Sequence, residues 1–119
     1  MSDERRSQGR VAAYIEVLWE GKSGKYEART ADIHTGGCFI DSMGDVAVGE
    51  IIRFKLRLPR DEWIEVEGVV AYRYPNAGFG VRFLNMSSED DRKRLEWLVK
   101  AEDYRVQKAS QEQDLKTDL

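Results

Sequence analysis

The sequence has one cysteine, Cys38, and one histidine, His34. A lone cysteine forms no internal disulfide and no cysteine-cluster metal site. A histidine-based triad would have to use His34, which sits in a glycine-rich stretch, and no G-x-S-x-G pattern occurs. Metal-ligand spacings are missing as well. No apolar run approaches the ~18 residues of a membrane helix. Charge of one dominant sign is also lacking: 19 basic and 22 acidic side chains leave a net charge of -3. A general polyanion binder wants a basic total, and a disordered chain wants one sign in excess and few aromatics. The opening residues Met1-Ser2-Asp3-Glu4-Arg5-Arg6 carry charge where a signal peptide is apolar. A cytoplasmic protein with no catalytic residue, no metal and no direct membrane insertion is expected.

What is present is a chain of 119 residues, enough for one domain with a modest core. Charged residues reach 34%, above the usual quarter. Of the 41 charged side chains, 21 lie in residues 1–10 and 85–119, so the excess belongs to the two ends. Residues 1–10 read as a flexible arginine arm. Residues 11–106 read as the folded domain, and 107–119 as a polar, disordered tail. Period-two alternation starts at Val11, with Val11, Ala13, Ile15, Val17 and Trp19 on one strand face. It returns at Lys25 to Ala31, briefly at Cys38 to Asp41, and strongly at Ile52, Phe54, Leu56 and Leu58. Ile64, Val66, Gly68, Val70, Tyr72 and Tyr74 mark one face of a long strand, with a bulge or bend expected at Gly68. Phe79, Val81 and Phe83 alternate again. Ser87 or Ser88 caps a helix that opens on Glu89, Asp90 and Asp91 and fades after Val106. Leu95, Leu98 and Val99 share a helical face, and Trp97 and Tyr104 are expected to pack against the barrel. About six short strands and one helix predict a small antiparallel β-barrel with a C-terminal helix, mainly β in class.

Few residues invite chemistry. Cys38 lies beside Phe39 and Ile40 and reads as a buried structural thiol. Glu65 and Glu67 alternate with apolar residues, the mark of a solvated strand face. Arg53, Lys55 and Arg57 form a basic face without an interleaved aromatic, which disfavours a nucleic-acid polymer as partner. Gly78-Phe79-Gly80 lacks the strand-then-helix context of a dinucleotide fingerprint. Two features remain: the arm Arg5-Arg6-Ser7-Gln8-Gly9-Arg10, and Asp32-Ile33-His34-Thr35-Gly36-Gly37 between two strands. Arginine presents a fork of donors to phosphate and to the O6/N7 edge of guanine, and it stacks on flat bases. A carboxylate accepts from guanine's ring N–H and amino group. Together these are complementary parts for a guanine nucleotide.

The order of these motifs resembles the PilZ domain family, the bacterial receptor module for cyclic di-GMP, over residues 5–105. Arg5, Arg6 and Arg10 match the family's R-R-x-x-x-R motif. Asp32 and Gly37 match D/N-x-S-x-x-G, and Gly36 fits its frequent double glycine. Gly78 to Phe83 match the G-x-G-V-x-F of its last strand, and Leu58-Pro59 and the closing helix occupy family positions. His34 stands where the family has serine. The resemblance implies a split six-stranded barrel and a receptor rather than an enzyme, with cyclic di-GMP as ligand and no other cofactor. It implies that Arg6 and Arg10 grip phosphate and guanine with help from Arg5, and that Asp32 reads a guanine edge. Gly36 and Gly37 would let the backbone approach the ligand, and His34 would stand in for the serine. A downstream protein partner would read the ligand-ordered arm. The alternative is a PilZ-like adaptor between proteins whose degenerate site has lost the nucleotide.

Overall fold

The computed structural model of the chain describes residues 11–117, with the backbone alone for Val106 and residues 109–117. The expected arm, with Arg5, Arg6 and Arg10, lies outside the described residues. In chain order the elements are β1 (Val11–Ala12), β2 (Glu16–Gly21), β3 (Gly24–His34), β4 (Gly37–Asp41), β5 (Ile51–Arg57), β6 (Trp63–Tyr74), β7 (Gly78–Met86) and a helix, α1 (Glu89–Thr117). All strand pairs are antiparallel. The order β3-β2-β5-β6-β7-β4 closes on itself through a β3–β4 pairing. The result is a six-stranded barrel with β1 as an extra strand on β3.

The single first strand expected from the sequence is therefore two. Alternation is unbroken, and Val11, Ala13, Ile15, Val17 and Trp19 are all buried. Pairing is broken between them. Ala12 faces Asp32 while Glu16 faces Arg29, which leaves one residue too many on the first strand. Thr30 fills the break. Its fully buried hydroxyl donates to the Ala13 carbonyl at 2.5 Å and accepts from the Ile15 N–H at 3.0 Å. Buried main-chain groups without partners are costly, so one side chain here replaces ladder bonds that the break removes.

The core fills the barrel from every strand. Ile52, Phe54, Leu56 and Leu58 are buried as their alternation predicts. Trp19 stacks on Tyr26 at 4.4 Å, meets Phe79 edge-on at 5.1 Å, and donates its indole N–H to Ser42. Cys38 is a buried free thiol, as expected. The register of β6 on β7 shifts between Glu67 and Gly68, at the expected glycine, and again between Val70 and Tyr72.

Barrel closure depends on a close approach of β4 to β7. Gly37 pairs with both His34 and Arg82. A Cβ on Gly37 would run into the Val81 carbonyl oxygen, which is backbone and cannot swing aside. A Cβ on the neighbouring Gly36 would meet only the His34 ring, at 3.1 Å.

The helix is capped as predicted, with Ser88 Oγ accepting from the Asp91 N–H at 3.1 Å. Leu95, Leu98 and Val99 join the barrel core, and α1 packs mainly on β1. Two expectations fail here. The helix continues past Val106 to Thr117, since residues 89–117 contain no glycine or proline and many strong helix formers. Trp97 and Tyr104 do not pack on the barrel but are 60% and 67% exposed, because the buried face is set by Leu95, Leu98 and Val99.

Two substitutions test this account. Thr30→Val keeps the volume but strands the Ala13 carbonyl and the Ile15 N–H. It is expected to lower the unfolding free energy by about 1–3 kcal/mol in denaturant titration. Gly37→Ala is expected to cost more than about 2 kcal/mol by the same measurement, and Gly36→Ala less than about 1 kcal/mol. Equal costs for the two glycines would contradict the close approach at Val81.

Candidate functional site

The Asp32–Gly37 segment forms the tip of the β3–β4 hairpin. His34 pairs with Gly37, so Thr35 and Gly36 are a two-residue turn. His34 closes that turn with its own ring: Nδ1 accepts the Gly36 N–H at 3.0 Å. In the neutral imidazole the proton then sits on Nε2. The Gly36 carbonyl accepts from the Phe83 N–H at 2.8 Å, which ties the tip to β7.

A bulge sets which way Asp32 points. Thr30 faces Ile40 and Asp32 faces Phe39, so Ala31 is an extra residue in β3. Ile33 is fully buried, and its neighbours Asp32 and His34 lie on the outer face of the barrel, both half-buried. From Asp32 a row of outward positions crosses the sheet through Phe39 and Gly80 to Tyr72. A Cβ on Gly80 would strike the Tyr72 ring, so that ring lies against the bare backbone. Phe39, Tyr72 and Tyr74 form an aromatic cluster with centroids 5.5–6.2 Å apart.

This cluster is absent from the sequence reading, which put Tyr72 and Tyr74 on the core face with Val70. The register shift between Val70 and Tyr72 makes Ala71 an extra residue and turns both tyrosines outward. The only available signal was the run of two tyrosines just before the Pro75-Asn76 turn, where a core strand has no need of hydroxyls.

The predicted residues divide as follows. Asp32, His34, Gly36 and Gly37 come together at one hairpin tip. Arg5, Arg6 and Arg10 lie outside the described residues, but the point where their segment joins the barrel is fixed. Val11 pairs with Ile33, between Asp32 and His34. The arm is therefore covalently rooted beside the two outward side chains. Gly37 has a further duty that the sequence reading did not assign, the close packing against Val81.

The other candidate groups have ordinary surroundings. Glu65 lies 3.5 Å from Lys55, and Glu67 accepts from the Asn85 amide, so both belong to a paired strand face. Arg57 binds Glu16 at 2.6 Å and also Asp61, and the hydrogen bond to Glu16 first, then the bond to and charge of Asp61, raise its guanidinium pKa. A groove of about 810 Å³ lies elsewhere on the barrel, over Glu20, Lys25, Arg53, Lys55, Glu65 and Glu67, and none of the predicted residues borders it. Among the described residues no group of three or more His, Cys, Asp or Glu is placed to hold a metal ion.

Comparison with known proteins meets this geometry. The PilZ domain profile matches residues 4–101. The PilZ domain with c-di-GMP of YcgR from Escherichia coli superposes with a TM-score of 0.65 at 11% identity, over 86% of this chain and 94% of that one. The Bacillus subtilis inhibitor of motility MotI/DgrA gives 0.63 at 20% identity, over 77% and 48%. The K. pneumonia MrkH-c-di-GMP complex gives 0.63 at 16% identity, over 77% and 48%. The chain thus spans about half the length of the last two proteins. No curated protein matches it in sequence. The six-stranded barrel, the helix after it and the profile match over most of the sequence agree: the chain belongs to the PilZ domain family.

Proposed function

We propose that the chain is a cyclic di-GMP receptor that acts on a protein partner in the cytoplasm, without catalysing a reaction. One observation carries the reading: the arginine arm is rooted at Val11, opposite Ile33 and between outward-facing Asp32 and His34. The Asp32 carboxylate accepts from the ring N–H and amino group of a guanine. Arg6 and Arg10, with Arg5 assisting, grip phosphate and the guanine O6/N7 edge. His34 takes the place of the family serine. The bare backbone at Gly36 and Gly37 gives the nucleotide room to approach.

Energy decides how the receptor signals. Fixing the arm costs about 1–2 kcal/mol per residue of backbone entropy. Hydrogen bonds to charged groups return about 1.5–3 kcal/mol each. Several such bonds are needed before the folded arm is favoured, so it folds over the barrel when the dianion is present. Ligand and arm then form a surface that the partner reads, a population shift driven by the nucleotide. Among the described residues no helix is long and apolar enough to cross a membrane, which fits a partner protein as the target of the output.

A second reading rests on His34, whose Nδ1 is already engaged with the Gly36 N–H. In that reading the site no longer takes the nucleotide and the domain is a protein adaptor. Isothermal titration calorimetry with cyclic di-GMP separates the two. The receptor gives saturable heat, and the adaptor gives none. Arg6→Ala and Arg10→Ala are each expected to abolish the heat while thermal unfolding of the barrel stays unchanged. Unaltered affinity in both variants would sink the assignment of the arm.

A further inference from the structure

The helix α1 meets the barrel along one stripe, where Leu95, Leu98 and Val99 are buried. The opposite stripe carries Lys93, Trp97, Lys100, Tyr104 and Lys108, all exposed. At 3.6 residues per turn, this spacing keeps the five within about 80° of one another around the helix. Lysines and aromatics alternate along it for about 22 Å, at 1.5 Å per residue.

The cations of this stripe differ from those elsewhere. On the strands, Lys25 and Arg53 flank Glu20, and Lys55 faces Glu65. On α1 itself, Arg94 lies against Glu62 and Asp91, and Arg105 against Glu102. Lys93, Lys100 and Lys108 make no ion pair with another described residue. Glu96 and Asp103 fall on the flank of the helix, where Asp103 accepts from the Gln107 amide. Between Lys93 and Lys108 the stripe itself holds no carboxylate.

Shape and charge select the occupant. Neither the groove of about 810 Å³ nor the smaller one of about 440 Å³ beside it borders any of the five residues. The stripe is a straight ridge, which suits a planar partner. Protein interfaces are poor in lysine, and a second copy in an isologous contact would set lysines against lysines. At a bilayer surface, by contrast, Trp and Tyr rings settle at the level of the headgroups. Lysine there lays its aliphatic stem along the apolar boundary and reaches a lipid phosphate with its ammonium.

We infer that this stripe of α1 is a membrane-surface site that lies on anionic phospholipid headgroups without spanning the bilayer. The two rings supply shallow apolar contact and the three lysines supply attraction to phosphate, a pair of weak signals that together give reversible adsorption. The site is separate from the Asp32–Gly37 tip and does not rest on the receptor reading.

The test is co-sedimentation of the full chain, without nucleotide, with two kinds of vesicle. One is phosphatidylcholine alone, and the other carries about one third phosphatidylglycerol. Adsorption to the anionic vesicles and not to the neutral ones is expected, weakening as salt rises. Trp97→Ala with Tyr104→Ala forms one variant, and Lys93→Gln with Lys100→Gln and Lys108→Gln forms the other. Each is expected to weaken adsorption about tenfold or more, with unchanged thermal unfolding. Lys25→Gln, on the paired strand face, is expected to stay within about twofold of the parent. Equal binding to both kinds of vesicle overturns the site, and so does adsorption within about twofold of the parent in both variants. Absence of adsorption to the anionic vesicles also overturns it. Binding of a polyglutamate peptide or a single-stranded oligonucleotide, lost in the same variants, would then assign the stripe to a protein or a nucleic acid instead.

Discussion

The barrel rests on β3 being paired along both edges. One edge carries β2 and then β1, and the other carries β4. A strand so committed has to reconcile two registers, and β3 does so near Thr30. Ala31 is the extra residue against β4, and the residues between Ala12 and Glu16 take up the mismatch on the other edge. Thr30 makes the misfit tolerable, because one hydroxyl both donates and accepts. With that point fixed, Asp32 and His34 face outward, Ile33 faces the core, and the polypeptide enters the barrel at Val11 between them. The same bulge that resolves the register conflict therefore aims the candidate site.

Electrostatics on the rest of the surface follow from the same pairing. The net charge of -3 conceals a local order: the row Lys25, Glu20, Arg53 and Glu67 alternates in sign across β3, β2, β5 and β6, and the adjacent rows pair Arg29 with Glu16 and Lys55 with Glu65. Arg53, Lys55 and Arg57 read as a basic stripe along one strand, but the neighbouring strands set acid against each of them. Arg57 is held by Glu16 and Asp61, and these carboxylates raise its guanidinium pKa. Exposed pairs of this kind contribute little stability each. Their larger effect is to leave no broad unpaired positive field for a polyanion.

Much of this was legible in the sequence, and the failures have a common cause. Alternation located the buried faces of β2 and β5 and of most of β6 and β7, because burial on one face obeys period two whatever the partner strand is. The Ser88 cap, the buried Leu95, Leu98 and Val99, and the buried Cys38 were equally local matters. Bulges are not local. Whether Ala71 is an extra residue depends on how β7 lies beside β6, and the sequence of β6 alone does not contain that. Hence Tyr72 and Tyr74 were assigned to the wrong face. Likewise Trp97 and Tyr104 look like core residues to any count of large apolar side chains, yet the helix meets the barrel on another face. Within the candidate site, Asp32 and His34 could be picked by type and order. The reason for Gly37 could not, since it lies in the Val81 carbonyl, three strands further along the sequence.

His34 shows how a departure from a family motif can preserve the backbone it sits on. A two-residue turn benefits from a side-chain acceptor that takes the N–H two positions ahead, and serine does this in ST-turns. The His34 Nδ1 does the same for Gly36. Imidazole therefore satisfies the local requirement that a serine would satisfy at this position. The difference lies in what remains. A hydroxyl holds its donor at the same atom as its acceptor, close to the backbone, whereas imidazole carries the donor on Nε2, across the ring from Nδ1. The substitution keeps the hairpin and moves the presented donor away from the strand.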